Sequence, residues 1–279
     1  MWRARYLKIW VGGAILLVLL VCGVAAPYLA PYDPQEQVLE HRLRPPTFAG
    51  QGSGPHWLGT DNLGRDILSR IIYGSRISLL VGATTVILAG LLGCLLGALA
   101  GYFGHLTDEI ISKITEIFLA FPFLLLAIAL MAFLGQGLVN LIIALMMSRW
   151  VQYCRVVRGE VLSLKERDFV VAARALGGRD FYVLLRHVLP NTFASVTVIA
   201  TFAMAIVIIA EASLSFLGLG VPTHIPTWGS MLSEGRVYMY RAPWLTIFPG
   251  FAIFVTVFGI NLLGDGLRDI LDPKLRGRR

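Results

Sequence analysis

Apolar runs near the ~20 residues needed to cross a hydrocarbon core alternate along this chain with polar and basic stretches. They cover residues 9–30, 77–101, 114–134, 138–157, 192–217 and 244–263. Glycine and proline punctuate them freely, which bilayer-spanning helices tolerate better than water-exposed ones. The fourth run is the weakest, because Arg149 interrupts it. The pattern predicts an all-α integral membrane protein with six spans and both termini on one side. The first run also has features of a secretory signal: a basic start, an apolar middle and Val24-Ala25-Ala26 at a cleavage position. It continues to Ala30, however, so it is expected to stay as the first span; Val21 ahead of Cys22 argues against lipid attachment.

The connections carry patterns of their own. Residues 31–76 begin with Pro31, Pro34, Pro45 and Pro46 and read as irregular structure. From Asp66 onward, Ile67, Leu68, Ile71 and Ile72 alternate at helical period with Arg65, Ser69, Arg70 and Ser75. That predicts an amphipathic helix lying on the outer face ahead of the second span. The stretch 218–243, rich in Gly, Pro, Trp and Tyr, reads as a second outer loop at headgroup level.

Residues 171–190, VAARALGGRDFYVLLRHVLP, form a polar island between two apolar runs. Arg174, Arg179, Asp180 and Arg186 would each cost several kcal/mol in lipid, so the island belongs at a membrane face. Gly177-Gly178 predicts two short helices, the first ended by a glycine cap. Ala172, Ala173 and Ala175 give that first helix a smooth surface on which another protein can pack, which makes it a candidate docking element.

Charge distribution orients the chain. With the N-terminus inside, inner segments hold Arg3, Arg5, Lys8, Lys113, Arg149, Arg155, Arg158, Lys165, Arg167, Arg174, Arg179, Arg186, Arg268, Lys274, Arg276, Arg278 and Arg279. Outer segments hold only Arg42, Arg44, Arg65, Arg70, Arg76, Arg236 and Arg241. Seventeen of the 24 Lys and Arg residues are thus inside, so N-in and C-in follow from the positive-inside rule. Gly177-Gly178 is then cytoplasmic and Gly52–Gly54 extracytoplasmic.

Composition closes off other classes. A hydrophobic share of 56% against 15% charged residues excludes an ordinary soluble domain, and the net charge of +7 reads as loop anchoring at a lipid bilayer, not nucleic-acid binding. Cys22, Cys94 and Cys154 are too scattered for a disulfide framework or zinc site. No phosphate-cradling G-x-x-x-x-G-K-[ST], H-E-x-x-H, C-x-x-C or G-x-S-x-G occurs. The five histidines are dispersed. No catalytic, cofactor-binding or metal-binding residue is therefore assigned.

Two charges in apolar runs are candidate pathway residues. Glu211, deep in the fifth run, reads either as a gate or pathway contact or as one half of a pair that fixes helix packing. Arg149 faces a watery cavity, snorkels toward a membrane face, or marks a fourth helix that starts later than the apolar run.

The island resembles the coupling loop of binding-protein-dependent importers of the ATP-binding-cassette class, E-A-A, three residues, G, nine residues, I-x-L-P. Ala172 and Ala173 match the alanines, Gly177 the glycine, and Leu189-Pro190 the ending; Val171 stands in place of the Glu and His187 of the Ile. Further stretches, LGTDNLGRD at 58–66, RIIYGSRISL at 70–79, EASLSFLGLG at 211–220 and NLLGDGLRDILDP at 261–273, resemble the C-type permease subunit of dipeptide, oligopeptide and nickel importers. The resemblance runs from the first span to Pro273. It implies a type I importer fold, with a first span and extracytoplasmic segment over 1–76, a transmembrane domain over 77–272 containing the coupling loop 159–190, and a basic cytoplasmic tail over 273–279. It also implies a second permease subunit of similar fold, two cytoplasmic ATPase subunits that bind the ATP, and an extracytoplasmic solute-binding protein. Ala172, Ala173, Ala175, Leu176, Gly177, Leu189 and Pro190 become the ATPase-coupling residues, in a bacterial inner membrane. Peptides are the expected cargo, with nickel, glutathione-like or other small solutes on the same architecture as the alternative. A secondary transporter would need coupling-ion carboxylates near the midplane, for which Glu211 alone stands.

Overall fold

A computed structural model describes residues 2–49, 56–222 and 224–271. The Gly52–Gly54 stretch and the basic tail 273–279 lie outside the described residues. The described chain is helical, with no strand and a single isolated bridge between Thr60 and Asp66. Helices α1 (Trp2–Val24) and α2 (Ala26–Leu29) lead into an irregular segment with short 3-10 turns at Leu39–His41 and Thr47–Ala49. There follow α3 (Ile67–Phe103), α4 (His105–Leu119), α5 (Phe123–Leu134), α6 (Leu138–Leu164), α7 (Asp168–Ala175), α8 (Asp180–Val183), α9 (Phe193–Phe216), α10 (Trp228–Gly235) and α11 (Trp244–Leu271). Among the described residues, four helical stretches are long and apolar enough to cross a membrane: Tyr6–Val24, Ile67–Phe103, Asp180–Phe216 and Trp244–Leu271. A bent pair, α4 with α5, has the length and apolarity for a fifth when its two helices are counted as one span. Helix α6, which carries Arg149, Arg155 and Arg158, is not among them.

Small residues decide how these helices meet. In lipid no hydrophobic force drives helices together, so close backbone approach and van der Waals packing must do so. Gly93, Gly97 and Gly101 lie one above another on α3, against α6. A Cβ at Gly97 would stand 3.0 Å from the Cys154 Cα, and one at Gly101 only 2.9 Å from the Arg158 carbonyl oxygen. A second seam joins α1 to α11, where a Cβ at Gly12 would stand 2.6 Å from the Gly259 carbonyl oxygen. Lys8 pairs with Asp269 at 3.3 Å on the same crossing. An apolar core of Val81, Met131, Leu141, Leu145, Val207 and Leu214 ties α3, α5, α6 and α9 together.

The structure corrects two expected elements. The run 114–134 is not one straight span: its helix breaks at residues 120–122 and turns by 87°. Pro122, at φ −55° and ψ 131°, is the cause, since its ring fixes φ and pushes the preceding residue out of the helical region.

Nor does an amphipathic helix lie on the surface ahead of the second span. Ile67 opens α3 itself, a continuous helix of 37 residues. At 1.5 Å per residue it is about 55 Å long, well beyond the ~30 Å hydrocarbon core. Its projecting first turns are covered, with Ser69 and Arg70 buried along with Ile67. The pattern of alternation was helical, but the polar face meets a folded loop and α10 instead of water.

Candidate functional site

The polar island forms the two short helices expected, α7 and α8, joined at Gly177-Gly178. The α7 terminus is a complete Schellman motif: Gly177 N–H donates to the Arg174 carbonyl at 2.9 Å, and Gly178 N–H to the Ala173 carbonyl at 3.1 Å. Gly177 sits at φ +87° with open space around it, so its glycine serves backbone conformation alone. Gly178 is the crowded one. A Cβ there would stand 2.7 Å from the Ala173 carbonyl oxygen and 2.9 Å from Val183 Cγ2. The chain then runs through a π-turn at Leu184–Val188 and a 3-10 turn at Leu189–Thr192 into α9.

The two faces of α7 differ. Val170 is buried and Ala173 half-buried, both against Tyr102, Val157, Val161, Val183, Leu184 and Val188. Ala172, Ala175 and Leu176 point away from the chain, Leu176 with 89% of its surface exposed. Leu189 packs beside the same inner cluster, and Pro190 is exposed. Phe169, Val171, Phe181, Tyr182 and Leu185 add exposed apolar surface, an arrangement characteristic of a protein-binding patch.

Polar contacts fasten the island to the end of α3. The Arg174 guanidinium lies 4.8 Å from the Tyr102 ring centroid, and its Nε donates to the Tyr102 hydroxyl at 3.2 Å. That hydroxyl donates in turn to Asp180 Oδ1 at 3.1 Å, and Lys165 Nζ reaches the Gly101 carbonyl at 3.2 Å. A force applied to α7 therefore acts on α3 through packed side chains and hydrogen bonds.

Arg149 and Glu211 lie in different settings. Arg149 borders a recess of about 540 Å³ between α6 and the α4–α5 elbow. Its guanidinium sits 4.9 Å from the Phe123 ring centroid, and its Nε and Nη2 are buried without a hydrogen-bond partner. Glu211 is fully buried and does not border that recess. It accepts a hydrogen bond from Ser78 Oγ at 3.1 Å, which joins α3 to α9, and one from Ser215 Oγ at 2.9 Å within α9.

At the opposite end from the island lies an arrangement that hydrophobic patterning did not reveal. Asp61 accepts from Arg65 Nε at 2.5 Å and also pairs with Arg70. Glu234 of α10 receives Arg65 Nη2 at 2.6 Å and Arg70 Nη1 at 2.9 Å. Asp66 caps α3 by accepting from Ser69 N–H at 2.8 Å, and its other oxygen lies 3.0 Å from His56 Nδ1, whose Nε2 is 3.1 Å from His41 Nδ1. The signal was present as unlike charges concentrated in LGTDNLGRD and the turns after it.

Similarity to known proteins covers almost the whole chain. Residues 92–277 match the family model described as the inner membrane component of binding-protein-dependent transport systems. Residues 9–46 match the N-terminal transmembrane domain of oligopeptide transport permease C. The chain is 45% identical over 279 residues to a glutathione transport system permease protein of Pectobacterium atrosepticum, covering 99% of this chain and 90% of that one. It is 44% identical over 266 residues to a di/tripeptide transport system permease protein of Pseudomonas aeruginosa, at 95% and 88% coverage. An oligopeptide transport system permease protein of Bacillus subtilis is 41% identical over 277 residues, at 99% and 89%.

Proposed function

Because this chain belongs to the family of inner membrane components of binding-protein-dependent transport systems, as a multi-pass permease subunit of an ATP-binding-cassette importer, we propose that it carries short peptides. The observation that supports this cargo is the near full-length similarity to permeases named for di/tripeptide, oligopeptide and glutathione transport. Glutathione is itself a tripeptide and falls within the same chemistry.

In this reading the chain crosses the inner membrane six times, with both termini and the island in the cytoplasm; the excess of Lys and Arg on that side supports it. The bent α4–α5 pair and the arginine-bearing α6 supply the third and fourth crossings. The chain pairs with a second permease of similar fold, and an extracytoplasmic solute-binding protein delivers cargo at the end capped by Asp61, Arg70 and Glu234. Two ATPase subunits sit at the island, contacting Ala172, Ala175 and Leu176, while Ala173 lets α7 seat against its own chain. Gly177 ends α7 and Leu189-Pro190 turns the chain back into α9. Chemistry resides in the ATPase subunits, which bind the ATP; this chain transmits their closure. Movement of α7 pulls on α3 through Arg174, Tyr102 and Asp180, and the permease pair alternates between inward-open and outward-open states.

The test is uptake of labelled trialanine and of glutathione by proteoliposomes holding all the subunits. ATP-dependent accumulation of either supports the reading, and accumulation of neither removes it.

A further inference from the structure

The recess beside the α4–α5 elbow is bordered by an arginine with two hydrogen-bond donors that no described residue partners. Phe121 and Phe123 form one wall, and Ser148, Arg149, Gln152 and Arg155 of α6 form the other; no carboxylate lines it. The two unpartnered atoms of Arg149, Nε and Nη2, are those a guanidinium uses to grip a carboxylate side-on through two parallel hydrogen bonds. The same helix shows that grip completed elsewhere. Arg158 holds Asp108 through Nε to Oδ1 at 2.5 Å and Nη2 to Oδ2 at 2.7 Å. Arg149 is Arg158 without its aspartate.

Two buried guanidinium nitrogens with vacant donors are costly, and a chain that keeps them needs a partner for them. The recess, at about 540 Å³, is far larger than one Asp or Glu side chain and falls in the ~300–1,000 Å³ range of small-molecule sites. The Phe123 ring centroid lies 4.9 Å from the guanidinium carbon, and both side chains border the recess. Arg155 adds a second positive charge, and Ser148 and Gln152 add hydrogen-bonding groups.

We propose that Arg149 is a specificity-determining residue of the transport pathway, which receives the carboxylate of the peptide cargo through Nε and Nη2. The assignment rests on the peptide-importer reading. Each transported peptide carries at least one such group, its C-terminal carboxylate, whatever its side chains, so a site of this kind selects for peptides without selecting among them.

The experiment compares wild type, Arg149→Gln and Arg149→Lys in the complete complex, reconstituted in both zwitterionic and anionic lipid. Uptake of labelled trialanine and of glutathione is measured beside subunit stoichiometry and ATP turnover stimulated by loaded binding protein. Arg149→Gln is expected to lower uptake of an imported probe at least tenfold, and Arg149→Lys by less. The concentration of binding protein giving half-maximal ATP turnover should stay unchanged, as should stoichiometry. Unchanged uptake in Arg149→Gln would overturn the assignment. Loss of the second permease subunit would overturn it in favour of an acidic residue on that partner. A defect confined to anionic lipid would overturn it in favour of a headgroup phosphate. Failure of the wild-type complex to import either probe would remove the peptide reading, and this assignment with it.

Discussion

Gly178 donates its N–H to the Ala173 carbonyl at 3.1 Å, and a Cβ at position 178 would stand 2.7 Å from that same oxygen. The bond that closes the Schellman motif thus leaves no room for a side chain at the residue that makes it. The adjacent Gly177 has room but an unfavourable φ of +87°.

The two glycines should therefore fail differently. Gly177→Ala strains only the backbone, by about 1–2 kcal/mol, and should leave assembly intact with a modest loss of uptake. Gly177→Val should lose more, because a β-branched residue resists positive φ. Gly178→Ala must displace both the Ala173 carbonyl and Val183, and should weaken attachment of the ATPase subunits. Measuring uptake and subunit stoichiometry across the three variants checks that order.

The island was the most legible part of this chain. Its charges, its glycine pair and its Leu189-Pro190 ending all speak locally, and two short helices follow from them. Which face of α7 turns inward was not legible, because Ala172, Ala173 and Ala175 look alike until Tyr102 and Val183 are in place around them. The amphipathic pattern after Asp66 predicts a helix, as observed, but points its polar face to water, since the loop that buries Arg70 has no periodicity of its own. Pro122 was visible within the apolar run 114–134, yet spanning helices tolerate proline, and only the packed structure shows a turn of 87°. The α3 glycines needed the position of α6 to acquire meaning.

The cap of Asp61, Arg65, Arg70 and Glu234 is predicted to carry much of the stability of its end. Arg70 has 1% of its side chain exposed and Asp61 4%, against 23% for Glu234. Breaking a buried pair from one side leaves an uncompensated charge, at about 3–5 kcal/mol. Asp61→Asn and Arg70→Met should markedly lower the unfolding temperature in detergent, and Glu234→Gln should lower it less. Fluorescence-detected thermal unfolding of the purified variants measures this.

The glycine seam on α3 should be intolerant of bulk. Gly97→Leu would drive a side chain into the Cys154 backbone and separate α3 from α6, so little folded protein should be recovered after extraction. Gly13→Ala is the control, because nothing lies within 4 Å of a Cβ there, and it should fold normally. Monodispersity on size exclusion distinguishes the two.

Topology has a direct test. In a background without Cys22, Cys94 and Cys154, a cysteine at Ser53 should react with an impermeant maleimide on spheroplasts. One at Arg179, exposed in the island, should react only after the membrane is opened. The reverse pattern would invert the orientation.

The central claim is that the outward face of α7 receives the ATPase subunits and conveys their closure. Leu176 isolates it, because a side chain 89% exposed contributes little to this chain's own packing. The decisive measurement is ATP-driven uptake by the reconstituted complex carrying Leu176→Asp, taken together with subunit stoichiometry. The predicted result is normal membrane insertion and normal pairing with the second permease, with ATPase subunits lost and uptake reduced at least tenfold. Wild-type uptake with a full complement of ATPase subunits would contradict the account.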